Sequence, residues 1–528
     1  MTTSYDADVV VIGSGALGSN AAYELAKQGR SVILLEAGSR IPRWKILENF
    51  RTSSRKANFN DPYPNEPWAH TSYDPEYLEN TGSFNFRPGM LKLVGGTTWH
   101  WAAACWRYLP NDMKLKTLYG VGRDWPIDYD TLEPYYQRAE EALGVAGNGD
   151  EDQSGQGGKA WPPRSQPYPL PPDATTYMNQ QLVKRLAPEG FHYIHEPNGR
   201  VTRPYDGRPA CCGNNNCMPV CPIGAMYSGD MHATHAENAG AKLITEATAY
   251  KLEKGAGNKI VAVHYRKPDG SDVRLTARYF VVAAHGLETP KLLLMSDVAN
   301  SSDQVGRNLM DHTGIGLLMI GDEPLWPGRG AVQQGGIFNW RDGDFRKQHS
   351  AVKHSMSNAV PNRTITERLL KQGVIGPELD EGIRHDAARW IDVGTVFEML
   401  PSPTNRVTPS DKKDALGIPM LRVNYDVDDY VKAGKEVAKK DYARFAKIFN
   451  AQIVEDESGW QNRDHIMGSV IMGSDPKDSV VNGDCRTHDH DNLFLATTGV
   501  IPASGVINPT LTGVALSIRI ADTINKEI

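Results

Sequence analysis

The first forty residues show two short apolar runs separated by a glycine-rich turn. Residues 9–12 form an apolar run that leads directly into the sequence GSGALG at 13–18. A helical pattern follows and ends near Gly29, and a second apolar run occupies residues 31–35. Strand, turn, helix and strand in this order predict one βαβ unit at the start of the chain.

The remainder of the chain mixes three kinds of pattern. Apolar periodicity predicts helices over 131–143, near 376–392, over 427–452 and over 511–528. Alternation of apolar and polar residues predicts short strands within 241–283 and 315–425. Aromatic, Pro and Asn residues without a clear period predict mostly loop over 40–90, and a Gly- and Pro-rich stretch predicts a surface segment over 145–173.

Composition and charge restrict the class of protein. The 528 residues carry a formal net charge of −6, and no polybasic run is present, which argues against nucleic acid as a partner. No stretch approaches the roughly 18 continuous apolar residues that a membrane-spanning helix needs. The amino-terminal segment at 1–8 has neither a basic region nor an apolar core, so we expect no export signal in this chain itself.

The glycine loop has the features of a dinucleotide-binding site. Gly13, Gly15 and Gly18 allow a tight turn and let backbone N–H groups approach a pyrophosphate at a helix amino terminus. Glu36 follows the second strand, where an acidic side chain can bind the adenosine ribose. The alternative is a purely structural glycine turn, and the motif alone does not separate FAD from NAD.

A second glycine pair lies in the sequence VGGTTWHW at 94–101. Gly95 and Gly96, followed by Thr97, permit close approach of the backbone to a flat ring. The alternative is a plain turn between strands.

His465 and Asn508 are the candidate catalytic residues near the carboxyl terminus. Dehydrogenation of an alcohol needs a base on the hydroxyl group, and a neutral histidine suits that role at physiological pH. An asparagine beside it can hold the same oxygen atom. A helix that begins near Thr510 would direct its positive end at a reduced flavin. The alternatives are a packed or surface histidine and a helix-capping asparagine.

Four of the six cysteines fall within the eleven residues from Cys211 to Cys221. Cys211, Cys212, Cys217 and Cys221 are close enough to bind a soft metal centre, to pair as disulfides, or to carry out redox chemistry. Cys105 and Cys485 are isolated in the sequence and are expected to be buried, inert thiols.

From end to end the chain resembles the glucose-methanol-choline (GMC) oxidoreductase family. The resemblance is carried by motifs in the family's order: GSGALG with LEAG, VGGTTWHW, GLETPKLLLMS (286–296), VGRNLMDH (305–312), HIMGS from His465, and NPTLT from Asn508. Family members often have GT in place of Gly468-Ser469, which is a mild departure. The resemblance implies FAD as cofactor and His465 with Asn508 as the catalytic pair. It implies the following cofactor-binding residues: Gly13, Gly15, Gly18, Glu36, Gly95, Gly96, Thr97, His100 and Pro509.

The resemblance also implies a fold class. We expect an α/β protein with a Rossmann-like FAD-binding domain and a substrate domain built on an antiparallel sheet. The expected FAD-binding domain comprises 1–140, 228–315 and 480–528. The substrate-binding domain comprises 141–197 and 316–479, and a cysteine-containing insertion comprises 198–227.

The segment at 203–227 is similar to the catalytic subunits of bacterial membrane-associated sugar dehydrogenases of the glucose, fructose, sorbitol and gluconate type. This similarity implies a [3Fe-4S] cluster, for which three thiolates suffice, and we expect Cys211, Cys217 and Cys221 as its ligands. Cys212, adjacent to Cys211, is expected to be spare. A structural zinc site or a vicinal disulfide is the alternative. In some GMC enzymes the histidine that precedes Trp in the second glycine segment is joined covalently to the flavin, so the family resemblance also implies a covalent bond between His100 and the flavin.

The expected activity follows from both resemblances. We expect an FAD-dependent dehydrogenase that oxidises a hydroxyl of a sugar or polyol, with glucose as the first candidate. Its implied partners are a small subunit that carries the export signal and a multihaem cytochrome c, at the periplasmic face of the inner membrane. Membrane contact would be through these partners only. An oxygen-using oxidase of the same fold and an electron-transfer subunit without its own substrate are the alternatives.

Overall fold

The computed structural model describes residues 5–53, 61–70 and 77–528. Within these ranges the strands are β1 (Ala7–Ile12), β2 (Val32–Leu35), β3 (Leu78–Asn80), β4 (Tyr193–His195), β5 (Lys242–Ile244), β6 (Thr248–Lys254), β7 (Ile260–Arg266), β8 (Asp272–Val282), β9 (Gly314–Ile320), β10 (Gly335–Trp340), β11 (Val352–Ser357), β12 (Trp390–Phe397), β13 (Arg406–Lys413), β14 (Pro419–Asn424), β15 (Gln452–Gln461) and β16 (Leu493–Leu495). The helices are α1 (Ala16–Ala26), α2 (Arg43–Thr52), α3 (Leu115–Tyr119), α4 (Tyr129–Leu143), α5 (Tyr177–Leu186), α6 (Asp230–Asn238), α7 (His285–Ser296), α8 (Asn362–Lys371), α9 (Gly376–Arg389), α10 (Asp429–Ile448) and α11 (Thr510–Glu527).

The first apolar run forms the centre of a mixed, seven-stranded sheet. The strand order is β5-β2-β1-β8-β7-β6, and β16 also pairs with β8. Strand β1 runs parallel to β2 and to the carboxyl-terminal half of β8, while the amino-terminal half of β8 pairs antiparallel with β7. The four residues of β2 are all buried, as expected for a strand covered on both faces. The carboxyl ends of β1 and β2 therefore open at one edge of the sheet, where ligands bind in such folds.

A six-stranded antiparallel sheet forms the second layer of the molecule. Its order is β15-β9-β12-β11-β10-β4, with every described pairing antiparallel. Helix α10 packs against β12. A third sheet has three strands in the order β13-β14-β3, and helix α7 packs against both this sheet and β6. A mixed sheet that contains a parallel βαβ unit, together with an antiparallel sheet, confirms the predicted fold class. The domain boundaries remain a prediction.

Helices cover the parallel sheet. Helix α1 packs against α6 and α11, and α11 also packs against α4. Alanine, valine and isoleucine side chains of α11 are almost completely buried, so this carboxyl-terminal helix is part of the core rather than an appendage. No described helix is long and apolar enough to cross a membrane.

The predicted helices over 131–143, 427–452 and 511–528 are confirmed as α4, α10 and α11. The loop prediction over 40–90 is wrong at α2, which buries only Ile46 and so lacks an apolar stripe; residues 54–60 and 71–76 of that stretch lie outside the described residues. Helix α8 was not predicted, and the helix predicted near 376–392 ends at Arg389, where β12 begins.

Candidate active site

A cavity of about 460 Å³ lies between the mixed seven-stranded sheet and the antiparallel six-stranded sheet. It extends from the glycine loop after β1 to the amino terminus of α11. The predicted site residues on its wall are Gly13, Gly15, Glu36, Gly96, Thr97, His100, His465, Asn508 and Pro509. The structure therefore brings both ends of the chain, and both glycine motifs, to one cavity.

The three glycines of the first loop have different structural roles. A Cβ atom on Gly13 would lie 2.4 Å from the Ala283 carbonyl oxygen, and one on Gly18 would lie 1.9 Å from the Gly13 carbonyl oxygen. A Cβ atom on Gly15 would meet no atom within 4 Å. Gly15 precedes α1 directly and lines the cavity, so open space lies in front of a helix amino terminus. This arrangement fits a pyrophosphate.

Glu36 completes the dinucleotide side of the cavity. Its carboxylate accepts hydrogen bonds from the Ser14 N–H at 3.0 Å, the Ser14 hydroxyl at 2.7 Å and the Gly38 N–H at 3.0 Å. The side chain thus holds the glycine loop in place and still lines the cavity, where a ribose hydroxyl can donate to it.

The second glycine pair packs directly on the first loop. Gly95 and Gly96 have φ angles of 98° and 59°, in the left-handed region that favours glycine. Gly95 forms a parallel bridge with Gly15, and a Cβ atom on Gly96 would lie 3.0 Å from the Gly15 Cα. A short 3-10 turn follows, after which His100 Nε2 lies 2.8 Å from the Gly89 carbonyl oxygen. Two of the predicted cofactor-binding residues, Gly18 and Gly95, do not line the cavity.

His465 and Asn508 contact each other at the other end of the cavity. The Asn508 Nδ2 lies 2.8 Å from His465 Nε2. The Asn508 side chain does not cap α11, because the residue at the cap position is Pro509 and no side-chain cap bond is formed. The helix α11 begins at Thr510, as predicted.

His312 determines which nitrogen of His465 carries the proton. The Nε2 of His312 lies 2.9 Å and 3.2 Å from the carbonyl oxygens of Gly505 and Ser504, so this nitrogen must donate. A neutral His312 then presents an unprotonated Nδ1 to His465 Nδ1, at 2.9 Å. His465 therefore donates from Nδ1, and its unprotonated Nε2 accepts a hydrogen bond from Asn508 Nδ2.

Both imidazoles are neutral at physiological pH. Burial lowers the pKa of His312 to about 3. Withdrawal from bulk water lowers the pKa of His465 well below its usual value, and His312, Lys353 and Arg463 lower it further. The result is a histidine nitrogen able to accept a proton.

Asp311 holds the segment that carries His465. Its buried carboxylate accepts hydrogen bonds from the N–H groups of Arg463 at 3.0 Å and His465 at 2.8 Å, and from the Asn462 side chain at 3.0 Å. Asp311, His312 and Lys353 were not predicted as site residues. The sequence DH at the end of VGRNLMDH was the available indication for the first two, whereas nothing distinguishes Lys353 from other strand lysines.

Three of the four clustered cysteines, Cys211, Cys217 and Cys221, belong to or pack against one apolar cluster. Cys217 and Cys221 are buried, Cys211 is half-buried, Cys212 is exposed, and all six cysteines are free thiols. Burial raises the pKa of the Cys211 thiol. Cys105 and Cys485 are buried, as predicted.

The thiols do not converge on one point. In the part of the chain that the structure describes, no three His, Cys, Asp or Glu side chains are placed to hold a single metal ion. A cluster that binds one thiolate on each of three irons does not require such convergence, and three of the clustered thiols, Cys211, Cys217 and Cys221, are buried or half-buried. Three residues line the cavity and also belong to or pack against the apolar cluster that contains Cys217 and Cys221. They are Trp101, Ala103 and Met218.

Three family models match the chain. A model described as GMC oxidoreductase matches residues 197–314, and a second with the same description matches residues 401–517. A model described as FAD dependent oxidoreductase matches residues 8–115, which include the first glycine loop.

Relatives and solved structures extend over the whole chain. The chain is 46% identical to the fructose dehydrogenase large subunit of Gluconobacter japonicus, over 99% of this chain and 98% of the relative. It is 28% identical to 2-methyl-1,2-propanediol dehydrogenase of Mycolicibacterium austroafricanum, over 100% and 96%. The structure superimposes on formate oxidase of Aspergillus oryzae with a TM-score of 0.66 at 16% identity, covering 99% of this chain and 98% of that one.

Proposed function

The chain belongs to the GMC oxidoreductase family, and from this premise we propose that it is an FAD-dependent dehydrogenase acting on a sugar or polyol hydroxyl. The observation that carries the proposal is the unprotonated His465 Nε2 beside Asn508, in the same cavity as the dinucleotide loop. Fructose is the first substrate to test because the relative with 46% identity is a fructose dehydrogenase subunit. Glucose is the second.

The side chains support one division of labour. FAD, when held by the two glycine loops and Glu36, supplies the acceptor for a hydride. His465 Nε2 accepts the proton of the substrate hydroxyl. Asn508 Nδ2 donates a hydrogen bond to the same oxygen atom and so favours the negative charge that develops there. His312 keeps the imidazole of His465 in the required tautomer.

Anaerobic reduction of the bound flavin tests this proposal. Fructose, glucose, sorbitol and a simple alcohol are added separately, and flavin absorbance is followed. We expect bleaching by at least one sugar or polyol and not by the simple alcohol. His465→Ala should retain FAD and lose this reaction by at least about 10²-fold. Reduction of His465→Ala at the wild-type rate would contradict the assignment of the base.

We further propose that electrons leave one at a time. A [3Fe-4S] cluster held by Cys211, Cys217 and Cys221 would provide that chemistry, and contact between the cysteine cluster and the cavity wall supports its proximity to the flavin. The acceptor would be a multihaem cytochrome c at the periplasmic face of the inner membrane. The protein would be exported to that site together with a small subunit that carries the export signal. Peroxide produced in stoichiometric amounts would instead favour an oxygen-using oxidase.

We propose that His100 is the site of a covalent flavin bond. Its place on the cavity wall, after the second glycine pair, supports this assignment. Acid precipitation of the protein should leave the yellow colour in the pellet. Release of all flavin into the supernatant would contradict the bond.

A further inference from the structure

Lys353 is a buried lysine on the wall of the catalytic end of the cavity. It lies on β11, in the interior of the antiparallel sheet, and only 4% of its surface is exposed. Its Nζ donates a hydrogen bond of 2.9 Å to the Asn508 Oδ1. A buried ammonium group is unfavourable without a partner, so its placement here calls for an explanation.

The charges around Lys353 do not form a simple ion pair. Glu196 is the nearby group of opposite charge, whereas Arg341 and Arg463 have the same charge as Lys353. The Glu196 carboxylate accepts a hydrogen bond from Asn198 Nδ2 at 3.0 Å. Among the described residues, Asn508 is the only hydrogen-bond partner of the Lys353 ammonium. Burial lowers the pKa of Lys353 to about 8, so the group is still mainly protonated at pH 7.

This contact defines which atom of the Asn508 amide faces Lys353 and which faces His465. An ammonium group can only donate, so it selects the oxygen of the amide and excludes the NH₂ group. The Nδ2 then points to His465 Nε2, 2.8 Å away. If the amide were flipped, its NH₂ group would face the Lys353 ammonium, and its oxygen would face the lone pair of His465 Nε2.

We propose that Lys353 is a positioning residue for the dehydrogenation: it fixes the orientation of the Asn508 amide so that Nδ2 donates to the substrate oxygen beside His465. The inference rests on the proposed function, because it assigns a role within that reaction. Asn508, His465 and His312 then form a chain of hydrogen bonds that is fixed at both ends. The Lys353 ammonium fixes one end, and the carbonyl groups of Ser504 and Gly505 fix the other.

Lys353 also acts on the base through its charge. Three neighbouring groups, His312, Lys353 and Arg463, lower the pKa of His465, and the buried Asp311 carboxylate accepts a hydrogen bond from its backbone N–H. Removal of the Lys353 charge should therefore raise the pKa of His465. The acid limb of a kcat/KM profile should move to higher pH, an effect that a purely structural role for Lys353 would not produce.

Lys353→Met tests the proposal, because it keeps the length of the side chain and removes the ammonium. With the sugar that reduces the wild-type flavin, we expect reduction about 10²-fold slower at unchanged flavin content, because a misdirected amide no longer holds the reacting oxygen. Lys353→Arg, which also only donates, should recover part of the rate. Wild-type kinetics and an unmoved acid limb in Lys353→Met would overturn the proposal.

A double substitution separates positioning from a general effect. If Lys353 acts through Asn508, then Lys353→Met should cost little further rate in an Asn508→Ala background. A full and additive loss in that background would place the action of Lys353 elsewhere.

Separate controls distinguish a folding defect of the variant and a wrong substrate assignment from a failure of the proposed role of Lys353. Should Lys353→Met fold poorly, the pair Lys353→Met with Glu196→Gln removes both buried charges and is measured in its place. A neutron crystal structure of the variant needs no substrate and distinguishes the amide nitrogen from the amide oxygen. There Asn508 Nδ2 should have left His465 Nε2, and an intact contact would refute the proposal. Failure of every sugar to bleach the wild-type flavin would refute the proposed function alone.

Discussion

The Nδ1 atoms of His312 and His465 lie 2.9 Å apart, so only one of the two can carry a proton. The carbonyl groups of Ser504 and Gly505 occupy the other nitrogen of His312 and decide which one it is. The two backbone carbonyl groups thus set the tautomer of His312. His312 in turn sets the tautomer of His465 and leaves its Nε2 unprotonated.

His312→Ala should slow flavin reduction by about 10²-fold or more, because His465 can then place its proton on Nε2 and lose the lone pair. His312→Asn keeps an acceptor near the position of Nδ1 and should recover much of the rate. Stopped-flow reduction under anaerobic conditions measures both variants. Equal rates for the alanine and asparagine variants would show that the tautomer is set by other groups.

The two histidines also show how far the sequence predicts this site. The glycine loop and Glu36 were predictable because strand, turn and helix follow one another within about thirty residues, where local pattern determines structure. His312 and His465 are separated by 153 positions, and Lys353 and Asn508 by 155. Local periodicity does not indicate such contacts. Motifs predict His465 and Asn508 as catalytic residues, but they do not predict the partners His312 and Lys353.

Secondary structure follows the same rule. Helix α10 was predictable because its buried residues recur with helical spacing, whereas α2 buries only Ile46. Asp311 lacked a predicted role because its carboxylate binds two backbone N–H groups and the Asn462 side chain, all far along the chain, and a sequence pattern does not display such contacts.

Gly15→Ala should impair FAD binding without impairing folding. The new methyl group would project into the open space in front of α1, where the pyrophosphate is expected. We expect purified protein with a wild-type circular dichroism spectrum and a flavin content reduced several-fold. Gly459→Ala is the matched control, because a Cβ atom there also meets no atom within 4 Å and Gly459 does not line the cavity. Full flavin content in Gly15→Ala would place the pyrophosphate elsewhere.

Cys217→Ser should separate substrate oxidation from electron export. Cys217 is buried and is a proposed ligand, so the variant should lose iron and the ability to reduce a one-electron protein acceptor. Flavin reduction by the sugar should continue. Cys212→Ser is the control, since that neighbouring thiol is exposed. Iron analysis and low-temperature EPR measure the first effect, and an iron-free wild-type protein would refute the cluster.

His232→Phe should make the protein less sensitive to acid. His232 is buried between Tyr23 and Tyr227, with His235, Asp206, Arg208 and Lys27 as the charged or titratable groups around it. Burial lowers the pKa of His232 to about 3, from an ordinary value of 6.5. The unfolded chain therefore binds a proton below pH 6.5 that the folded protein does not bind, and stability falls as the pH falls through that window.

At pH 5 this single group should account for about 2 kcal/mol of the lost stability. Phenylalanine preserves the aromatic contacts and has no proton to bind. Urea unfolding of both proteins at pH 7.5 measures the packing effect of the substitution, and unfolding at pH 5.0 adds the titration. The loss of stability between the two pH values should be smaller in His232→Phe by about this amount. An equal loss in both proteins would mean that His232 binds its proton in the folded state as readily as in the unfolded chain.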